Sequence, residues 1–403
     1  MAKTLVQINV TANRGSTGKI TEGIGSLAAA KGFQSIIAYG RSALPSKSEL
    51  IRIGTKKDYL WHGGVSRLLD NHGLCSSNAT AEFIRRLNKI KPDIVHLHNI
   101  HGYYLNYPLL FEYLKEAAIP VVWTLHDCWS FTGHCSHFDY IKCDKWETQC
   151  FKCPQKKSYP KSVFFDNSRR NYINKKHFFT SLEKMYVVTV SNWLREIVSR
   201  SFLKQHPVYT IKNGIDTDIF KPCADIEAVK ARYGTNGKKV FLGVASTWDQ
   251  RKGLNDFVQL AKMISDYIKI VLVGVSDRQA RVLPNNIIAI PRTDSQADLA
   301  AIYSMADAFL NPTYEDTYPT TNLEAIASGT PVITYNTGGS AEVITAVTGK
   351  VVDVGNWQDM YKKALTMPKN VEACREYALK HFQQQDRFNE YIELYEKILE
   401  KKI

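Results

Sequence analysis

Between Ala308 and Glu342 the chain reads A-F-L-N-P-T-Y-E-D-T-Y-P-T-T-N-L-E-A-I-A-S-G-T-P-V-I-T-Y-N-T-G-G-S-A-E. Three acids in this stretch could do chemistry. Glu315 and Asp316 follow a short apolar run, Ala308 to Leu310, that predicts a buried strand. Glu324 lies eight positions beyond Asp316, in a segment, Asn322 to Ala327, that predicts a helix. Pro319 suits the start of that helix, where a missing N–H costs least, and Gly329 suits its end. Pro331 to Thr334 predicts a second strand, and Gly338-Gly339 a second loop ahead of a further helix. Helix starts after parallel strands present N–H groups that bind anions, phosphate above all. A carboxylate inside a helix can accept two hydroxyls of the kind a ribose offers, and a carboxylate in the loop can face a second polar ligand.

The stretch resembles the donor-site signature of retaining glycosyltransferases of the GT-B fold, in the large family 4. In that family an acid, seven residues and a glutamate precede a helix of small residues, then G-T-P-V-I and T-x-G-G-x-x-E. Here the tail is Gly329-Thr330-Pro331-Val332-Ile333 and Thr337-Gly338-Gly339 through Glu342. The family's first acid is usually Glu, whereas the residue at the matching distance from Glu324 is Asp316. The resemblance therefore leaves Glu315 and Asp316 both as candidates to face the sugar. The form E-D-T-Y-P-T-T-N-L-E-A is similar to a subgroup that builds bacterial capsules and exopolysaccharides. The resemblance implies that Glu324 binds ribose, and that Thr320, Thr321, Asn322, Gly338 and Gly339 lie against the donor.

Further matches are spread along the chain. Lys252-Gly253 matches the family lysine that bonds the donor diphosphate. Ser246 stands six positions earlier, where the family has arginine, so Arg251 and the helix N-termini are left to supplement the charge. Val121 to Leu125 predicts a buried strand that ends in His126-Asp127. Such a histidine can orient a substrate hydroxyl, and the Thr-x-His-Asp form resembles the family's cleft histidine, which contacts the transferred sugar. Asn213-Gly214-Ile215-Asp216 is similar to the family element that marks the crossing into the second domain. The glycine loop Thr11 to Lys19 follows a strand over Leu5 to Val10; the resemblance to the family, whose loop at this place approaches donor phosphate and acceptor, implies Gly15, Gly18 and Lys19 as candidates. Ile20 and the glycine spacing exclude a P-loop, and no dinucleotide G-x-G-x-x-G is present.

The elements that must position these residues alternate. Strands are expected at Ser35 to Tyr39, Asp93 to His98, Val121 to Leu125, Val187 to Val190, Val208 to Ile211, Lys239 to Ser246, Ile270 to Val275 and Ile288 to Arg292. Helical patterns lie between them, such as Ala79 to Ile90. Alternation of this kind implies α/β units with parallel sheets, whose ligands bind at the carboxyl ends of the strands. That rule also places His98, Asn99 and His101 at a rim. The resemblance extends this to GT-B: two Rossmann-like domains with parallel sheets facing a central cleft. The expected divisions are 1–212 on the acceptor side, 213–380 for the nucleotide sugar, and a last helix over 381–403 crossing back to the first domain.

Composition narrows the context. The 403 residues, 44% hydrophobic and 23% charged, suit a globular chain of two domains. No apolar run reaches the roughly 18 residues a membrane helix needs, and the N-terminus runs into a strand rather than a signal peptide, so a cytoplasmic protein is expected. The net charge is +13, and its excess is one-sided: 29 Lys+Arg against 15 Asp+Glu through residue 205, then 23 against 24. Lys152 to Lys204 is basic and aromatic. No nucleic-acid-binding motif accompanies it, so an anionic membrane surface is the expected partner, with the protein peripheral on the inner face of the cell membrane.

Four cysteines, Cys135, Cys143, Cys150 and Cys153, fall in an inserted segment at about 128–180. Thiols in a reducing compartment stay unpaired, and four thiolates with a Cys-x-x-Cys pair could make a closed structural zinc site. Reduced core thiols are the alternative. No magnesium motif is visible, and no catalytic metal is expected.

Together these readings lead to a sugar transferase, and the family resemblance implies that it retains the anomeric configuration. It would move sugar from a nucleoside-diphosphate sugar to a glycan or polyprenyl-diphosphate-linked acceptor, with His126 and Asp316 or Glu315 at the reacting sugar. The alternatives are a sugar-nucleotide epimerase on the same fold and a basic zinc-containing module that binds nucleic acid.

Overall fold

The computed structural model describes residues 2–402. The chain divides into two compact units, one built from 1–212 with 385–403, the other from 213–384.

The first unit holds a seven-stranded sheet. Its strands are β1 Thr4–Ala12, β2 Gln34–Ala43, β3 Glu49–Arg52, β4 Ile94–Leu97, β5 Val121–Leu125, β6 Met185–Thr189 and β7 Val208–Thr210. They lie in the order β3-β2-β1-β4-β5-β6-β7, every neighbouring pair parallel. A parallel sheet is covered on both faces, so its strands read as continuous apolar runs. Val121 to Leu125 is buried throughout.

The helix Gln384–Leu399 completes this unit's core. Phe388, Tyr391, Ile392, Tyr395 and Ile398 share one helical face and pack with Leu5, Ile24, Leu27, Ile94 and Val122. Gly23 leaves the space that the Phe388 ring fills. Polar contacts fix the register: Tyr395 OH lies 2.5 Å from His96 Nδ1, and Thr124 Oγ1 donates to Tyr391 OH at 3.2 Å.

The second unit repeats the pattern with β8 Lys239–Val244, β9 Ile268–Val273, β10 Ile287–Ile290, β11 Ala308–Asn311, β12 Val332–Tyr335 and β13 Gly349–Val352. Their order is β10-β9-β8-β11-β12-β13, again all parallel. Phe241, Phe257, Leu272, Leu310 and Ile333 lie in its core.

Several expectations shift. β1 runs on to Ala12 and the helix Gly15–Ala30 begins at once, so Gly18 and Lys19 lie inside a helix rather than in a loop. The turn closes through Asn13 N–H donating to Gly18 O at 3.0 Å. The helix expected after Gly338-Gly339 is only a short 3-10 turn, Ser340–Val343. β3, β13 and the helix Lys56–Leu69 were not anticipated. Within the basic-aromatic segment, Lys175 is buried, not solvated: Nζ donates to Trp129 O at 2.6 Å and Thr132 O at 3.0 Å, and burial lowers its pKa to about 7.

The helix Lys56–Leu69 opens with a capping box, in which Thr55 and Asp58 exchange hydrogen bonds. It buries His62, whose Nε2 accepts from Gly73 N–H at 3.1 Å and whose Nδ1 lies 2.8 Å from Ser76 Oγ. With both nitrogens used by the neutral ring, burial lowers the pKa to about 3. The unfolded chain binds this proton near pH 6.5, so the stability held at neutral pH declines as pH falls from about 6.5 towards 3. His62→Gln is expected to flatten the pH dependence of the unfolding midpoint between pH 7 and 5. An unchanged slope in denaturation melts across that range would show that His62 does not contribute.

Candidate active site

In each unit the strand order reverses between two central strands, β1 and β4 in the first, β8 and β11 in the second. Connections leave such a pair in opposite directions, so the loops at their carboxyl ends border a crevice. The sequence-predicted donor and sugar residues lie past the carboxyl ends of these strands or of their neighbours β5 and β12, and each cluster is described within its own unit.

In the second unit, the loop after β8 carries Arg251 and Lys252, and the loop after β11 carries Glu315 and Asp316. They meet: Lys252 Nζ lies 2.6 Å from Asp316 Oδ2, as a partly exposed ion pair. The loops are also joined through backbone, with Tyr314 N–H donating to Arg251 O at 2.8 Å. Arg251 makes only a long contact to the Glu315 carbonyl at 3.5 Å and a 3.9 Å approach to Asp249, so its guanidinium is weakly held. Glu315 is buried, and its carbonyl accepts from Thr313 Oγ1 at 3.0 Å. Asp316 accepts in addition from Tyr318 N–H at 3.2 Å.

The helix Thr320–Ala327 starts behind this loop with Pro319 as its cap. The amides of Thr320 and Thr321 have no carbonyl one turn earlier in the helix, which leaves them as donors. Glu324 Oε2 accepts from the buried Tyr303 OH at 3.0 Å, which orients its carboxylate. Asn322 is fully buried and structural: its Oδ1 accepts from Asn311 Nδ2 at 2.8 Å, and its Nδ2 donates to Ser340 O at 3.1 Å. It ties the helix to the turn after Gly339.

Gly338 and Gly339 pack on the same loop. Gly339 N–H donates to the Asp316 carbonyl at 3.1 Å, and a Cβ on Gly338 would run into that carbonyl oxygen. Gly338 also has φ +52°, a conformation that L side chains rarely adopt. Sequence reasoning missed two supports: Tyr303 under Glu324, and Asp256, which accepts from Tyr314 OH at 2.9 Å and Tyr335 OH at 2.7 Å. Neither has a signal in the sequence, because each reaches its partner across separate elements.

In the first unit, His126 lies just past β5. Its Nε2 is 3.1 Å from His98 Nδ1, and His98 Nε2 is 3.1 Å from Gln7 Oε1. His96 lies against His98, with ring centroids 3.9 Å apart. Burial lowers the pKa of all three, His126 to about 4, so the row is neutral at pH 7. Beside it, His101 Nε2 stands 3.0 Å from Asp127 Oδ2, a charge contact whose angle falls short of a well-formed hydrogen bond. Burial pushes the Asp127 pKa up, but His101 and the Trp129 amide outweigh this and hold it at about 2. Gly18, within the helix Gly15–Ala30, packs against the end of β1: a Cβ there would come 2.8 Å from Thr11 Oγ1.

Cys135, Cys143, Cys150 and Cys153 line one small cavity with His134. All four are free thiols. The Cys135 thiol hydrogen-bonds to Cys153, which lowers the Cys153 pKa to about 7. Among the described residues no group of three or more His, Cys, Asp or Glu is arranged to hold a metal ion.

Residues 24–219 match the family model described as Glycosyltransferase Family 4, and residues 225–381 match Glycosyl transferases group 1. The chain belongs to these glycosyltransferases. Its fold is GT-B, as in solved structures that span almost the whole chain. Sucrose-phosphate synthase from Thermosynechococcus elongatus is similar with a TM-score of 0.72 and 17% identity, over 99% of this chain and 100% of that one. Anabaena HepE in complex with UDP-glucose is similar with a TM-score of 0.66 and 12% identity, over 98% and 99%. Among relatives, the putative colanic acid biosynthesis glycosyl transferase WcaC of Escherichia coli K12 is 25% identical, over 76% of this glycosyltransferase and 77% of the relative.

In this glycosyltransferase, Gly338→Ala is expected to lower the unfolding free energy by about 1–3 kcal/mol, from positive φ and the collision with Asp316 O. Urea denaturation of the variant checks this. A midpoint equal to that of the parent would mean the loop relaxes without cost.

Proposed function

We propose that this glycosyltransferase moves a sugar, with retention of anomeric configuration, from a nucleoside-diphosphate sugar to a glycan or polyprenyl-diphosphate-linked acceptor in bacterial surface polysaccharide synthesis. The observation that carries the donor half is the second unit's loop cluster. There a lysine ammonium is held at a carboxylate of the loop ahead of a helix N-terminus, and that helix carries an oriented glutamate. An ammonium and free helix amides suit two phosphates, and a fixed helix carboxylate suits a ribose diol.

In this reading Lys252, Arg251 and the amides of Thr320 and Thr321 stabilise the leaving diphosphate. Such stabilisation is worth most when the donors are in place before reaction. Lys252 would exchange its contact with Asp316 for phosphate oxygens, which releases the Asp316 carboxylate towards the sugar. Glu324 binds the ribose. His126, neutral at pH 7, contacts the transferred sugar, the role its Thr-Leu-His-Asp setting resembles. A neutral imidazole can accept from a sugar hydroxyl, which an imidazolium cannot. Support for the donor class comes from structural neighbours solved with UDP or UDP-glucose, and for the pathway from the colanic acid relative.

A thermal-shift panel of UDP- and GDP-sugars tests the donor, since a ligand that binds only the native state raises the midpoint. One nucleotide class is expected to shift the parent and not Glu324→Ala. Lys252→Ala is expected to lower kcat by about 10²–10³. Transfer near the parental rate in both variants would overturn the site. Glu315→Gln and Asp316→Asn, measured separately, identify which acid faces the sugar: only that one is expected to lose kcat with donor binding retained.

A further inference from the structure

The helix Lys56–Leu69 is amphipathic in the wrong sense. Its buried residues are His62, Gly63 and Ser66, whereas Leu60, Trp61, Leu68 and Leu69 are exposed, Trp61 by 71%. Successive helical residues turn by about 100°, so Lys57, Leu60, Trp61, Gly64 and Leu68 fall within an outward arc of about 100°. A helix that packed only on its own unit would bury such a stripe.

A second segment widens the patch. Val163 N–H donates to Arg67 O at 2.7 Å, and Asn167 Nδ2 donates to Leu69 O at 2.7 Å. These bonds lay residues 163–167 along the end of the helix. Phe164 and Phe165 are 68% and 55% exposed there, and Val163 is exposed beside them. A contiguous patch of large apolar side chains marks an interaction surface rather than ordinary scatter.

The charges around it select the occupant. Residues 151–170 contain six Lys and Arg and a single acid, Asp166. The Asp166 carboxylate is already used, accepting from the amides of Cys153 and Ser168. Asp58, the acid of the helix, is used in its capping box. The patch therefore presents Trp and Phe side chains rimmed by Lys57, Arg67 and Lys161, with its neighbouring carboxylates Asp58 and Asp166 each engaged by backbone amides. A second copy of this chain would set like charges against each other. An anionic lipid surface complements both the rim and the aromatic side chains, which favour the headgroup boundary.

We propose that this outer face, helix Lys56–Leu69 with Val163–Phe165, seats the first unit on an anionic membrane surface. Trp61, Phe164 and Phe165 enter the interface, and Lys57, Arg67 and Lys161 meet the headgroup phosphates. The inner edge of the same helix faces a cavity of about 540 Å³, lined by Lys56, Tyr59, Arg14, Arg41 and Arg52 and by no carboxylate. The cationic surface thus continues from the lipid face into the unit, along the path a phosphate carried on a lipid would follow.

Sedimentation with vesicles tests this on the whole protein. Binding is expected to phosphatidylglycerol-containing vesicles and not to pure phosphatidylcholine, and it should weaken at high salt. The triple variant Trp61→Ser, Phe164→Ser, Phe165→Ser is expected to lose at least about tenfold in vesicle affinity, with an unchanged melting midpoint because all three side chains are exposed. Lys57→Gln with Arg67→Gln and Lys161→Gln is expected to lose about tenfold or more and to show less salt dependence. A vesicle-induced blue shift of tryptophan emission should vanish in Trp61→Phe. Three results would each overturn the proposal: no binding of the parent to anionic vesicles, undiminished binding of the triple variant, or lipid-free self-association in sedimentation velocity that the triple variant abolishes. None of these readouts depends on sugar transfer, so a chain that binds lipid but transfers no sugar would fail the proposed function alone.

Discussion

Parallel strands have all their carboxyl ends at one edge, and the order of the strands decides where that edge is open. In both units the chain starts in the middle of the sheet, winds outward to one side, then returns to the middle and winds to the other. The two central strands therefore send their connections in opposite directions, which leaves a crevice at their carboxyl ends. Lys252, Asp316 and Glu324 lie on the loops at these ends or on the helix that follows one, and His126 and Gly339 lie on the loops after the next strands outward, β5 and β12. Lys252 and Asp316 are 64 positions apart in sequence and 2.6 Å apart in space because β8 and β11 are neighbours. His98 and His126 meet because β4 and β5 are neighbours.

Much of this was legible in the sequence, for a physical reason. Buried parallel strands are apolar runs, and Val121 to Leu125 was found to the residue. The donor stretch was legible because each of its parts has a local duty: an apolar strand, a polar loop, proline at a helix start, glycines at tight turns. What was hidden depended on distant partners. Tyr303 beneath Glu324 and Asp256 beneath Tyr314 and Tyr335 are ordinary residues until the fold brings them together. Lys175 reads as surface charge in a basic run, yet two carbonyls and the Trp129 ring, 3.6 Å from Nζ, hold it inside. The helix Lys56–Leu69 escaped notice because its pattern opposes the usual one. It buries polar and small residues and exposes apolar ones, so periodicity gave no inward face to recognise. Gly18, placed in a glycine loop by its sequence, lies inside a helix because strand and helix close to within two residues of each other.

The two clusters differ in electrical character. The second unit offers a cation, Lys252, paired with the carboxylate of Asp316. The first unit offers histidines kept neutral by burial, beside an aspartate kept ionised by His101. One cluster is suited to developing negative charge, the other to uncharged hydroxyls. Both are braced from behind by buried tyrosines, whose raised pKa values keep their hydroxyls protonated as donors.

The first unit is not continuous in sequence, and this sets an order on its assembly. Residues 385–402 are synthesised after the whole of the second unit, yet they supply Phe388, Tyr391, Ile392, Tyr395 and Ile398 to the first unit's core and the hydroxyl at His96 Nδ1. While the ribosome is still making the second unit, the first has its seven strands but an apolar groove over Leu5, Ile94 and Val122, and a buried histidine without one of its partners. Chains cut short before residue 385 would carry that groove exposed. A chain that lacks the last helix therefore lacks both the side chains that fill this groove and the Tyr395 hydroxyl at His96 Nδ1.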